Sequence, residues 1–499
     1  MTFVDLLRGV EVLAQSGNPQ VTGIEYDSRR VKSGDVFVAM KGESSDGNRF
    51  VNQAIASGAV AIVTDSDITP KNAAWARVKH GRQALAILSA NFYRHPTEQL
   101  AISGITGTNG KSTTAFLLES ILQSAGNRTA LVGTIEYHVA GKIIPAPHTT
   151  PESLELQRLF REAVDAGTTE AVMEVSSHAL AQGRTFGVPF DVAIFTNLTR
   201  DHLDYHRTME EYFAAKKILF EGRGANHPRV SVINADDEYG LKLAGLCKQH
   251  GSEVITYGIS KADFHSAKLA ITPRETRFQM ITKDERIDLT SPLIGRVNVY
   301  NILAASAAAY ARGCSADDIA NGIARLRRVP GRFERVDCGQ PFTVVVDYAH
   351  TDDALRNVTS LAREFVKSSG GRVITLFGCG GDRDRKKRPL MGEAAGRGSD
   401  FVVLTSDNPR SEDPLAIIDN AVMGLRRSGA KYTIEADRRA AIRIALAEAR
   451  AGDIVLLAGK GHEKEQVLAS GPVPFDDALV AAEALRSLGY NCSKSGDGA

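Results

Sequence analysis

Short apolar runs set the rhythm of the first ninety residues: 21–26 and 35–40 read as strands, 50–58 as a helix and 60–64 as a buried strand. From residue 100 the pattern alternates, with apolar runs at 100–106, 129–134, 171–175, 192–197 and 230–234 separated by helical stretches. Such an alternation predicts a mainly parallel sheet with helices on both faces. At 262–288 apolar and polar positions alternate, which predicts a β-rich insertion. A turn-rich hinge, Pro330-Gly331-Arg332-Phe333-Glu334, then precedes buried runs at 344–346, 373–377, 401–404 and 454–457, the pattern of a second doubly wound, Rossmann-like domain. The expected fold class is α/β in three domains, 1–97, 98–329 and 330–489, with a small polar tail at 490–499 expected to be disordered.

Composition narrows the functional classes. The 499 residues suffice for about three domains, and a net charge of +1 leaves no broad basic face for nucleic acid. The densest basic run, 383–388, is short and set among glycines, which suits a local anion site. No run approaches the roughly 18 apolar residues of a membrane span, and the N-terminus shows no charged segment followed by an apolar one, so a cytosolic protein is expected. Cys247, Cys314, Cys338, Cys379 and Cys492 lack disulfide or metal spacing, which suits a reducing compartment; Cys379, among glycines, reads as a small filler.

Ligands of doubly wound sheets lie beyond the carboxyl ends of the strands. The run ending in Thr106 delivers Gly107-Thr108-Asn109-Gly110-Lys111-Ser112 and then an amphipathic segment, the strand, glycine loop, helix order of a triphosphate cradle. Gly107 and Gly110 let backbone N–H groups face phosphate oxygens, Lys111 adds a point charge and Ser112 offers a hydroxyl to Mg²⁺, so ATP is the expected nucleotide. Ile105 stands where the strict pattern has glycine. Other strand ends carry Glu174-Val175-Ser176-Ser177-His178, Asn197-Leu198-Thr199-Arg200-Asp201-His202-Leu203-Asp204, Asp347-Tyr348-Ala349-His350, Asp407-Asn408-Pro409-Arg410 and Gly459-Lys460-Gly461-His462-Glu463. This distribution suggests two domains closing around ATP and an acceptor. Asp27-Ser28-Arg29-Arg30, taken alone, is a turn with a satisfied aspartate.

In this order the motifs resemble those of the Mur ligases of peptidoglycan synthesis, and most closely the branch that adds the third amino acid of the peptide. The resemblance implies a UDP-binding first domain, a central ATPase and an amino-acid-binding third domain. It implies ATP-driven addition of meso-2,6-diaminopimelate to the D-glutamyl γ-carboxylate of UDP-N-acetylmuramoyl-L-alanyl-D-glutamate through an acyl phosphate. By motif position, Ser112, Glu174 and His202 would hold Mg²⁺. Lys216, in Tyr212-Phe213-Ala214-Ala215-Lys216-Lys217, would be the lysine carbamylated by CO₂ that adds a further oxygen donor, with Lys217 its solvated neighbour. Lys111 completes the catalytic set. Asn301, Arg332 and Asp347 match positions touching adenine, phosphate and ribose, while Thr106 belongs to the nucleotide loop. Ser28 matches a pyrophosphate contact, and Thr149, Thr150, Ser176, Gln182 and Arg184 match positions lining the muropeptide.

The remaining motif residues concern the amino acid. Arg383, Asp407, Asn408, Pro409, Arg410, Gly459 and Glu463 match the diaminopimelate site, with Arg383 and Arg410 gripping carboxylates and Asn408 and Glu463 receiving the ammonium. A fixed guanidinium favours the second carboxylate of diaminopimelate and repels the ammonium of L-lysine. Asp352 departs from the proline frequent in the family, an exchange expected to affect only loop stiffness, and Ser112 in place of threonine keeps the hydroxyl. The alternatives are a lysine-adding Mur ligase, a folylpolyglutamate synthetase, which lacks the Ser28 domain and the 407–410 motif, and a nucleotide-gated switch, which has no use for strand-end acids. The expected partners are small-molecule substrates, acting on a monomer.

Overall fold

In the computed structural model, which describes residues 1–42, 45–272, 274–367 and 370–492, three large sheets follow one another along the chain, with a two-stranded hairpin, Glu465–Leu468 with Gly471–Pro474, beside the last. The first is ordered Val12–Ser16, Ala74–Val78, Ala61–Thr64, Asp35–Ala39, Gly23–Glu25, and only its outermost pair, Val12–Ser16 with Ala74–Val78, is antiparallel. Those two strands escape sequence reading because half-exposed residues break up their apolar pattern.

The second sheet has eleven strands. Ala101–Thr106 lies at its centre, parallel to Glu170–Glu174 on one side and Phe190–Phe195 on the other. Its strand positions are apolar on both faces because helices cover both. Lys111–Ser124 and the alanine-rich Arg296–Ala311 pack on one side, Ser153–Asp165 and Met209–Glu221 on the other. The segment expected as an insertion is β-rich, but it continues this sheet: Phe264–Ile271, Thr276–Ile281 and Arg286–Ser291 extend one edge. Tyr257, Phe264, Phe278 and Leu289 share the core under Arg296–Ala311, which explains the extension.

The third sheet is ordered Glu334–Val336, Thr343–Asp347, Ile454–Ala458, Val373–Cys379, Phe401–Ser406, Lys431–Ile434 and is parallel apart from the first strand. Arg438 and Asp477 form a fully buried ion pair, and Arg438 also donates to the carbonyls of Ser406 and Ala458. Those carbonyls end two strands one residue before Asp407 and Gly459, so a charge whose burial would otherwise be costly instead ties two site loops to one anchor.

Two expectations are corrected at the C-terminus. Tyr490 packs edge-on against Phe342, and Cys492 is disulfide-bonded to Cys338, so the start of the tail is anchored; residues 493–499 lie outside the described residues. The partners are 154 residues apart in sequence and meet only because the last helix, Asp477–Ser487, folds back on the third sheet, so local cysteine spacing carried no information about pairing or compartment. Cys379 is buried beside Met391, and burial pushes its thiol up to about 12, consistent with a filler.

A charge cluster joins the phosphate-loop helix to the hairpin Glu136–Val139/Lys142–Pro145. The His138 ring lies 2.7 Å from Glu119 and 3.0 Å from Glu136. Burial alone would lower its pKa, but the two carboxylates overcome that and raise it to about 9. The raised native value makes this contribution complete below the ordinary histidine pKa of about 6.5 and lost as pH rises through about 9. His138→Gln is expected to lower the melting temperature by about 3 °C at pH 6 and to converge with the wild type above about pH 10. A pH-independent difference in thermal scans would show that the ring is neutral in the native state.

Candidate functional site

The phosphate loop leaves the central strand through backbone that only glycine accepts. Gly107 has φ +151° and Gly110 φ +88°, and a Cβ would strike Thr196 Oγ1 at the first and Asn301 Oδ1 at the second. Asn197 braces the loop, its side-chain oxygen accepting from Asn109 N–H and its carbonyl from Thr108 N–H, both at 2.9 Å. Thr106 is fully buried at the strand end and Ser112 lies in the first turn of Lys111–Ser124, whose N–H groups point out of the helix start. Lys111 Nζ folds back onto the carbonyls of Gly107 and Thr108 at 2.9 Å each, and burial lowers its pKa.

Glu174 ends the neighbouring strand and is buried. It accepts from Thr134 N–H at 2.7 Å, Thr134 Oγ1 at 2.9 Å and Ser112 Oγ at 3.1 Å. Arg332, arriving from the hinge before the third sheet, donates to Ser112 Oγ at 3.1 Å and lies over the Tyr348 ring. Ser112 and Glu174 are therefore in contact, and the other two expected metal ligands, His202 in the same cavity lining and Lys216 beneath the loop, make contacts of their own. His202 has left-handed backbone, φ +53°, with its ring 3.3 Å from Asp201 and edge-on to His178. Lys216 lies fully buried beneath the loop, donating to the Gly107 carbonyl at 2.8 Å over the Tyr212 ring. Burial, reinforced by the charge of Lys111, holds its amine well below the usual lysine range. Among the described residues, no three histidine, cysteine or acidic side chains converge as a metal centre. The hard oxygens of Ser112 and Glu174 beside the loop nonetheless suit Mg²⁺.

A cavity of about 800 Å³ opens from this loop between the second and third sheets. Asn301, Arg332 and Asp347 line it; Asp347 accepts from the N–H groups of Phe333 and Ala349, and burial raises its pKa. Thr149, Thr150, Ser176 and Arg184 line it near Glu174, with Thr150 Oγ1 donating to the Glu174 carbonyl at 2.9 Å and Arg184 donating to the Thr150 carbonyl at 2.9 Å. Gln182 stands behind, accepting from the Arg184 guanidinium at 3.0 and 2.8 Å. Ser28 is not part of this cavity: it is buried in the first sheet's region, 3.4 Å from Gln53, while Asp27 is satisfied by Arg29. The first sheet reaches the site through Tyr26 and Arg30 on Glu155 and Arg82 on Glu152, at the helix that follows Thr149-Thr150.

A second cavity, of about 440 Å³, adjoins the first and shares His178, Asp201, His202, Tyr348 and Arg383 with it. Arg383, Asp407, Asn408, Arg410, Gly459 and Glu463 line it. Pro409 does not; its carbonyl packs where a Cβ on Gly381 would sit. Arg410, at φ +54°, donates to the Gly381 carbonyl at 2.9 Å, and Arg383 to the Asp382 carbonyl at 3.1 Å. Glu412 consumes Arg385 and Arg388 of the basic run, whereas Arg383 and Arg410 take part in no ion pair among the described residues.

Sequence reading missed Asp353, whose carboxylate accepts from Asn109 and Thr199 at 2.9 Å each and so joins the third sheet's first helix to the phosphate loop. Its only sequence signal was helix-start acidity. Its neighbour Asp352 opens that helix rather than standing in a loop, and it is buried and paired with Arg356 one turn on, so the exchange for proline adds an ion pair, against the expectation that it would affect only loop stiffness.

Family profiles cover most of this architecture. "Mur ligase family, catalytic domain" matches residues 20–93, "Mur ligase middle domain" 105–309 and "Mur ligase, glutamate ligase domain" 331–461. The chain belongs to the Mur ligase family. It is 55% identical over 474 residues to the UDP-N-acetylmuramoyl-L-alanyl-D-glutamate–2,6-diaminopimelate ligase of Solibacter usitatus, covering 95% of both chains. It is 45% identical over 477 residues to the ligase of the same name from Geobacillus thermodenitrificans, covering 95% of this chain and 96% of that one. A solved structure of a UDP-N-acetylmuramoyl-L-alanyl-D-glutamate–2,6-diaminopimelate ligase superimposes with a TM-score of 0.69 at 33% identity, covering 98% of this chain and all of the other. The three-domain α/β fold is thus that of the Mur ligases, and apart from Glu463 the residues lining both cavities lie within the segments matched by its middle and glutamate ligase domains.

Proposed function

We propose that this Mur ligase joins meso-2,6-diaminopimelate to the D-glutamyl γ-carboxylate of UDP-N-acetylmuramoyl-L-alanyl-D-glutamate, using ATP and passing through an acyl phosphate. The observation that carries the reading is the adjacency of the two cavities: one begins at a phosphate loop, and the other presents two guanidinium groups, in no ion pair among the described residues, beside Asp407 and Glu463. The names of the 55% and 45% identical relatives support the same substrate pair.

A carboxylate is a poor acyl donor because oxide is a poor leaving group. A γ-carboxylate oxygen attacks the γ-phosphorus of ATP, ADP departs, and the acceptor's amine then attacks the acyl carbon and expels phosphate with that oxygen. Loop N–H groups and Lys111 hold the phosphates, and Arg332 reaches the same point from the third domain, so domain closure brings its charge to the transferring group. Thr150, Ser176 and Arg184 position the dipeptide end beside Glu174. Ser112 and Glu174 would hold Mg²⁺, which would neutralise charge on the phosphates. Burial favours the uncharged amine of Lys216, the form that adds to CO₂ with loss of a proton to give a carbamate, an anionic oxygen donor in place of a cation.

Acceptor choice follows from charge: two guanidinium groups suit the two carboxylates of diaminopimelate, whereas L-lysine carries the same two amino groups with only one carboxylate. Purified enzyme with ATP and the UDP-muramoyl dipeptide is expected to release orthophosphate only when diaminopimelate is added, and ¹⁸O in the glutamyl γ-carboxylate is expected to appear in that phosphate. Release without label transfer would exclude the acyl phosphate.

A further inference from the structure

Lys460 is fully buried and does not line the second cavity, yet it touches three side chains that do. Its Nζ donates to Asn408 Oδ1 at 3.0 Å and Glu463 Oε2 at 2.9 Å, and lies 3.7 Å from Asp407 Oδ1. The acceptors come from two loops, one after Phe401–Ser406 and one after Ile454–Ala458, separated in the sheet by Val373–Cys379. Asn408 Oδ1 also accepts from Val467 N–H at 3.0 Å, and its Nδ2 donates to Glu463 Oε2 at 2.9 Å. With Oδ1 taken by two donors, Asn408 has no acceptor left for an ammonium. That role falls to Asp407 and Glu463, and Asp407 Oδ1 is buried without a hydrogen-bond partner among the described residues.

Two carboxylates gathered on one buried ammonium would repel each other without it. Lys460 leaves the trio with a single net negative charge, matched to one ammonium, while Arg383 and Arg410 remain for carboxylates. We propose that Lys460 is a positioning residue of the amino-acid subsite: without touching the acceptor, it sets the subsite's charge and holds Asp407 and Glu463 toward the acceptor's ammonium. The inference rests on the function proposed above.

The test is steady-state kinetics on the full-length enzyme, varying each substrate in turn. Lys460→Met is expected to raise the KM for diaminopimelate by about 10²-fold, with the KM for ATP and for the UDP-muramoyl dipeptide within twofold of wild type. A charge-balancing role also predicts non-additivity: Lys460→Met with Glu463→Gln is expected to bind diaminopimelate no worse than Glu463→Gln alone. That comparison stands even if Lys460→Met alone does not fold. An unchanged KM for diaminopimelate, a parallel rise in all three KM values, or a double variant markedly worse than Glu463→Gln would each overturn the assignment. If the wild type shows no diaminopimelate-dependent phosphate release, the proposed function falls and this inference with it. Normal wild-type turnover with any of the overturning results removes Lys460 alone.

Discussion

Lys216→Ala is expected to reduce ligation by about 10³-fold or more, and acetate or propionate is expected to restore part of the activity. The truncation leaves a space beneath the phosphate loop where a small carboxylate can offer the oxygens that a carbamate on Lys216 would supply. Rescue distinguishes the two roles open to this side chain. A lysine acting only as a donor to the Gly107 carbonyl, 2.8 Å away, would be mimicked by an amine and not by an anion. Because burial holds the amine well below the usual lysine range, modification does not first have to strip a proton from a strongly basic group. Turnover at the wild-type rate in the variant, or rescue by methylamine and not by acetate, would remove the carbamate from the mechanism.

Replacing Arg410 with lysine is expected to reduce the preference for diaminopimelate over L-lysine by about 10- to 10²-fold, mainly by weakening the diaminopimelate reaction. The substitution keeps the charge but removes the planar fork, which donates to the Gly381 carbonyl from one arm and leaves the rest of the guanidinium to the cavity. Lysine's shorter side chain ends in a single ammonium, which cannot hold a carboxylate through two parallel bonds from that left-handed backbone position. Competition with diaminopimelate, L-lysine and ornithine would measure the change, and unchanged selectivity would shift recognition to Arg383.

The parts of the site legible in the sequence are those whose chemistry is carried by a contiguous motif. Gly107 through Ser112 can be read because a strand, two glycines with positive φ and a helix start must be adjacent in the chain to cradle phosphate. The strand ends holding Glu174, Asp347, Asp407 and Gly459 could be found because apolar runs mark the strands and ligands sit beyond their carboxyl ends. Asp353 and Lys460 were passed over for opposite reasons. Asp353 looks like an ordinary helix-start acid, and a lysine between two glycines in a loop looks solvated until three acceptors from two loops are seen around it.

By itself the sequence determined the fold class and the residue types at the strand ends it marked, because periodicity and turn chemistry act over a few neighbouring positions. Only the tertiary structure decided which of those residues meet. It placed Arg332 on Ser112 across the hinge, sent Arg385 and Arg388 to Glu412 while leaving Arg383 to the cavity, buried Lys460 against Asn408 and paired Cys338 with Cys492. Contacts of that kind join residues dozens to hundreds of positions apart, and packing between sheets and helices selects them; no local pattern records them.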